Sequence, residues 1–485
     1  MLPLFSYFFN PNSNSGKDAF NQAKDQVGSK GLLRKSIAKI INSAASICGL
    51  RQRSARAYEC GPLFQFAIAF TTEGKRDANF KLSNYIGTII RESVWHLSIS
   101  SNAVTKRLSK AGTPDFLRAM LDMYNRIIMH KRPKYGFTTA ADMLCKLARV
   151  ADCLTIDGTY IDVMRSDNYD CRAGDGKYGL GLHCLTSLMT GTIVGFSVTP
   201  AACNERLYVQ IEQLANVLIM ADRGYPSFQI FADLIRRGAS HGVKFIFRAV
   251  PCFTMDVLNA VNADGQPVNL TAVNGAVDTS NRANHTIDMI VRMHRPKDSK
   301  VKEKTLKLRV VRVYRPHDGS WTYYVTNIDQ SDMPPRMFPH AYRLRWVCEH
   351  VYRCAKSYTG MAQGINSRKF NVVLFFIVAS ICAMILKALM ASYMRPRQGK
   401  ALSLLKLHEK TGNLGSLIGK IMNYKVIDAL KEIRSMAAGL TCQCLTSPVS
   451  KRDKHRVASF QEVYVRLKAV LEEDGLKLEL CCAMS

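Results

Sequence analysis

From Asp152 to Val250 the apolar residues come in short runs, and the spacing within them alternates between strand and helix. CLTIDGT, beginning at Cys153, is a brief apolar run that closes on an acid. A polar, aspartate-rich loop comes next. The stretch YGLGLHCLTSLMTGTIVGFSVTP then predicts two strands around the turn Thr190–Gly191–Thr192. Asn204–Leu214 has helical spacing. NVLIMADRG is a second buried strand ending in an acid, Ser227–Arg237 reads as a helix, and VKFIFRAV supplies one more strand. Three strands, helix, strand, helix, strand is the pattern of a mixed sheet with helices packed on its faces.

On either side the pattern changes. Residues 1–145 read as helical, and LSISSNAVTKRLSKAGTPDFLRAM contains a break at Gly112–Pro114 between two helices. Residues 252–335 are turn-rich (NADGQPVNL, AVNGAVD) and then alternate as TIDMIVRM, TLKLRVVRVY and WTYYVTN, predicting a β-rich insertion. The sheet domain, residues 146–251, resumes over 336–395 with a helix from Tyr342. Residues 396–485 read as a helical C-terminal region with a breaker cluster at Thr411–Gly415, expected to contact DNA or a second protomer. Val372–Leu386 is uncharged, but fifteen residues of helix rise only about 22 Å against a bilayer core near 30 Å, so a buried core helix is expected and no membrane partner.

Charge narrows the function. The formal net charge is +29 over 485 residues, which points to a polyanionic partner. Residues 1–150 carry 23 Lys or Arg against 9 Asp or Glu, and no acid occurs between Glu349 and Glu409. Residues 151–200 invert the balance with 6 Asp and 3 cations. Acid therefore gathers where a metal site would be, with base around it. Lys106 and Arg107 make a basic helix end suited to lying on DNA. The fifteen cysteines form no C-x-x-C pair and no zinc-site spacing, and no secretory leader is legible, so a reducing cytoplasm is expected.

Candidate chemistry sits at three acids. Asp157 and Asp222 each follow a buried apolar run, at the rim of a sheet where ligands bind. Downstream, Tyr342, Arg345, Glu349 and Lys356 stand at relative positions 0, 3, 7 and 14, which at about 100° per helical residue places them within roughly 60° of one another. One carboxylate is thereby aligned with two cations and a phenol.

The run YRLRWVCEHVYRCAK matches the Y-x2-R-x3-E-x6-K signature of DDE transposases of the insertion-sequence-4 family, and Asp157–Thr159 and Asp222–Tyr225 resemble that family's first two acidic motifs in order. The resemblance spans about residues 90–395. It implies an α/β, ribonuclease-H-like mixed sheet flanked by helices and interrupted by a β-rich insertion. It implies that Asp157, Asp222 and Glu349 bind two Mg²⁺ ions, for which Mn²⁺ would substitute, and support nicking at transposon ends and strand transfer. Tyr342, Arg345 and Lys356 would contact phosphates near the cut. Trp321 and Trp346 would stack on a displaced base, and Arg223 would touch DNA. Double-stranded DNA (terminal inverted repeats and target) and a homodimer on DNA are the implied partners, in a bacterial cytoplasm at the nucleoid. A ribonuclease-H-like nuclease or resolvase without strand transfer, or a silent DNA-binding regulator derived from a transposase, would share most of these residues.

Overall fold

The computed structural model describes residues 4–9, 37–50, 60–72, 101–173, 176–250, 253–361, 367–395, 401–412, 414–415, 417–418, 426–445 and 460–474. The last residues before Ser101 in the predicted helix pair lie outside these. Its centre is a ten-stranded mixed sheet. The strands are β1 (Phe5–Phe8), β2 (Asp152–Asp162), β3 (Gly179–Ser187), β4 (Thr192–Pro200), β5 (Val217–Ala221), β6 (Lys244–Ala249), β7 (Met255–Asn262), β8 (Thr286–His294), β9 (Thr305–Arg315) and β10 (Ser320–Thr326). They lie in the order β1-β4-β3-β2-β5-β6-β10-β9-β8-β7. β2, β3 and β4 form an antiparallel meander, while β5 runs parallel to β2 and β6 parallel to β5. Counted from β2, the core reads third, second, first, fourth, fifth, which is the ribonuclease-H-like arrangement. Gly191, at φ 65°, makes the β3–β4 turn, where a Cβ would fall 2.9 Å from the Tyr135 ring.

Three local readings are corrected. Asn204–Leu214 is not an α-helix but two 3-10 turns, Glu205–Tyr208 and Ile211–Gln213. Its buried residues, Tyr208, Ile211 and Leu214, are spaced by three, a period that suits a 3-10 turn as well as an α-helix. The Asn204 side chain also accepts from the Arg206 N–H, a local bond that competes with helix continuation. The N-terminal region, read as helical, contributes β1, which pairs antiparallel with β4 from Phe5↔Val198 to Phe8↔Gly195. β7 was absent from the predicted strands. It is interrupted by a bulge at Val257/Asn259, which spoils the period of two.

The Ser227-led helix runs from Phe228 to His241; Ser227 Oγ accepts from the Ile230 N–H at 3.1 Å, and Gly242 at φ 67° ends it. The strands of the 252–335 segment do not form a detached layer. β10 pairs antiparallel with β6, so they extend the central sheet. A buried ion pair ties that extension to the helix Phe338–Arg343. Arg309 clasps Asp288 with two bonds of 2.9 Å, and also donates to the carbonyls of Ile328, Asp329 and Met333. Its guanidinium lies 5.0 Å from the ring centroid of Phe338, the first residue of that helix.

The apolar run forms the helix Phe370–Tyr393, long and apolar enough to cross a membrane by length and composition, yet buried in this fold from Val372 to Ala391. It packs against the helices Thr113–His130, Cys60–Thr71 and Val426–Leu440. Each large side chain so covered contributes about 1.5–3 kcal/mol. Lys387, in its midst, is fully buried and donates to the carbonyls of His408 (2.9 Å) and Tyr358 (3.3 Å), in the last turns of two other helices.

Candidate active site

The parallel pairing of β2 with β5 ends at Ile156↔Ala221, and the next residue along each chain segment is an acid, Asp157 still within β2 and Asp222 just past β5. This register makes the two carboxylates lateral neighbours at the carboxyl rim of β5. For Asp157 the reading needs a correction, because β2 does not stop there. It continues to Asp162 paired with β3 alone, with Asp157 opposite Cys184. The run read as a strand closing on an acid is thus a strand that changes partners at the acid.

Glu349 arrives from the other side of the chain. The stretch expected as one helix from Tyr342 to Lys356 is two helices, Phe338–Arg343 and Val347–Tyr358, joined by a 3-10 turn at Leu344–Trp346. The backbone stays right-handed throughout, so the tighter turn rotates the stripe without breaking it. Arg345 sits on that turn and Glu349 in the first turn of the second helix.

All three carboxylates converge on one guanidinium. Arg345 Nη1 lies 3.2 Å from Asp157 Oδ2, and Nη2 lies 3.0 Å from Glu349 Oε1 and 3.8 Å from Asp222 Oδ2. Arg345 is 5% exposed, while the three acids keep partial access to solvent. Tyr342 Oη donates to Asp222 Oδ1 at 3.1 Å. Two partners escaped the sequence reading: Tyr352 Oη donates to the Asp157 carbonyl at 2.8 Å, and Cys348 Sγ lies 3.4 Å from Asp157 Oδ2. Their spacing from Arg345, seven and three, is the signal that would have found them.

The electrostatics separates the acids. Burial pushes the Asp222 carboxyl up, but the Arg223 N–H, the Arg345 cation and the Tyr342 hydroxyl outweigh it and hold Asp222 below the ordinary range. Glu349 is raised, by burial first; Arg345 opposes this, and Asp157 and Asp222 add to it. Burial likewise raises the Tyr342 phenol, so it remains a donor. Lys356 is half-buried and its ammonium is lowered by desolvation, with Asp162 opposing.

The other expected residues are dispersed. Trp346 is 53% exposed beside the acids, with its ring centroid 5.7 Å from the Arg345 guanidinium. Arg223 is exposed and comes directly after Asp222. Trp321 is the second residue of β10, at the same sheet rim, two strands from β5 and so about 10 Å aside. It is half-buried; the Arg312 guanidinium covers its ring at 3.9 Å and Tyr314 packs at 5.1 Å. Lys106 is exposed and Arg107 half-buried on the separate helix Ser101–Leu108.

Carboxylate oxygens are the hard donors that Mg²⁺ and Mn²⁺ take, and here three come from three elements to one cationic point, so the donor set fits such ions. Among the described residues no three His, Cys, Asp or Glu side chains close to metal-ligand spacing, and the Arg345 guanidinium stands between these acids.

No curated protein matches the sequence significantly. A piggyBac transposase synaptic complex with hairpin DNA, solved by electron cryomicroscopy, is similar over 98% of this chain and 89% of its own, at 10% identity and a TM-score of 0.36. Residues 149–386, which contain β2 to β10, Asp157, Asp222 and the helix of Glu349, match the family model of the transposase DDE domain.

Proposed function

We propose that this protein is a DNA transposase that cuts at transposon ends and joins the freed 3′-ends to target DNA. The observation that carries the reading is the convergence of Asp157, Asp222 and Glu349, from β2, β5 and a later helix, on one point at the rim of a ribonuclease-H-like sheet. The three acids would hold two divalent cations, Mg²⁺ or Mn²⁺, which supply activation of the attacking oxygen and charge neutralisation at the leaving one. The chain's own groups do the rest. Tyr342 orients Asp222 through its hydroxyl, and Tyr352 and Cys348 fix Asp157. Lys356 and the exposed Arg223 would take phosphates flanking the scissile bond, one as a point charge and the other with a fork of donors. Trp346 offers a ring that is 53% exposed for a base drawn out of the stack.

The same proposal includes terminal inverted repeats and target DNA as substrates and a pair of protomers on paired ends. The test uses purified protein, end-containing DNA and Mg²⁺. Asp157→Asn, Asp222→Asn and Glu349→Gln should each abolish nicking while end binding persists. Normal nicking by any one of them refutes the assignment. Pre-cut ends distinguish transposase from nuclease: strand transfer by wild-type protein is expected, and its absence with intact nicking favours a nuclease or resolvase.

A further inference from the structure

A side chain whose task is solely to hold a DNA phosphate presents its donors outward. Arg345 does not. It is 5% exposed, its two terminal nitrogens face Asp157, Asp222 and Glu349, and its Nε is buried without a hydrogen-bond partner. The rings of Tyr342 and Trp346, with centroids 5.9 and 5.7 Å from the guanidinium, flank it. Three carboxylates at this spacing repel one another unless a cation lies between them. Arginine suits that place because its planar fork reaches several oxygens at once.

We propose that Arg345 is an internal counter-cation: it holds the three acids together before metal arrives, and it competes with divalent cations for them. A DNA phosphate brought to the rim gives the guanidinium another anion, so DNA binding releases the acids and tightens metal binding. By linkage, metal then tightens DNA binding by the same factor. The inference rests on the acids being metal ligands, and it makes Arg345 a positioning residue whose effect is read as metal affinity.

The experiment measures Mn²⁺ binding by electron paramagnetic resonance in wild-type, Arg345→Gln and Arg345→Lys full-length protein, each with and without an end-containing duplex. Without DNA, Arg345→Gln should bind Mn²⁺ at least tenfold more tightly than wild type, with Arg345→Lys between them. Its melting temperature in chelator should fall below wild type and rise further on Mn²⁺ addition. DNA should tighten Mn²⁺ binding in wild type and leave Arg345→Gln nearly unchanged. Equal Mn²⁺ affinity in wild type and Arg345→Gln overturns the inference while leaving the metal site standing. Should Arg345→Gln fail to fold, Arg345→Lys decides: affinity equal to wild type with and without DNA overturns the inference. No Mn²⁺ binding by wild type under either condition removes the metal-site reading itself, and the inference with it.

Discussion

Replacing Lys387 with methionine should leave the protein nearly as stable at pH 7 and make it markedly less stable at pH 10. Lys387 is fully buried, and desolvation pulls its ammonium down to about 8 from an ordinary 10.5. That gap corresponds to about 3 kcal/mol. The sign is set by proton binding. Between pH 8 and 10.5 the unfolded chain holds a proton that the folded chain has released, so stability due to this group rises with pH across that window and is flat on either side. The neutral amine still has two N–H donors for the carbonyls of Tyr358 and His408. Methionine has none. At pH 7 the variant escapes the cost of a buried charge but orphans two carbonyls, at about 1–3 kcal/mol each, and the two effects oppose. At pH 10 only the loss remains. Urea denaturation of both proteins at pH 7, 8, 9 and 10, followed by intrinsic fluorescence, gives the difference free of other titrating groups. The difference should widen by about 3 kcal/mol against the variant from the lowest pH to the highest. Parallel stability curves would show that Lys387 does not titrate in this window.

Asp288→Asn should destabilise by about 3–5 kcal/mol, since it strands the Arg309 guanidinium in a buried site; thermal melting checks this, and a loss under 1 kcal/mol would mean the pair is not desolvated. Tyr342→Phe removes the hydroxyl that helps hold Asp222 low, so the acid limb of the cleavage pH profile should move to higher pH, and an unmoved limb counts against that bond. Trp346→Ala should weaken binding of a DNA end by about 1–3 kcal/mol, whereas Trp321→Ala should act mainly on stability because Arg312 and Tyr314 already cover its ring; gel-shift and melting data distinguish the two. DNA affinity should fall steeply and log-linearly with salt, as expected for a chain of net charge +29, and a flat dependence would exclude an extended phosphate-tracking surface.

The division between what the chain announces and what it conceals is physical. Period-two runs announced β8, β9 and β10, since alternation is a local property, but no period names a strand's partner. That β10 pairs with β6, making one sheet, depends on contacts between residues about 80 apart. The same limit applies at the site. The stripe of Tyr342, Arg345, Glu349 and Lys356 was legible because helical neighbours are set by spacing. What each member meets was not legible: Tyr342 bonds Asp222, Arg345 bridges all three acids, Glu349 is one of those acids, and Lys356 feels the charge of Asp162.

The resemblance to DDE transposases implies a phosphate contact for Arg345. The fold buries its guanidinium among Asp157, Asp222 and Glu349, which are stronger anions at hand than solvent offers. Phosphate contact therefore requires Arg345 to leave carboxylates that it already holds. Lys356 and Arg223, with no such competitors at hydrogen-bonding distance among the described residues, are available from the start. On the proposed function this would set the order of engagement: the outer cations would meet the DNA backbone first, and Arg345 would be exchanged only once a phosphate reached the rim. Charge alone thus gives a reason for the acids to stay collapsed until the substrate is in place.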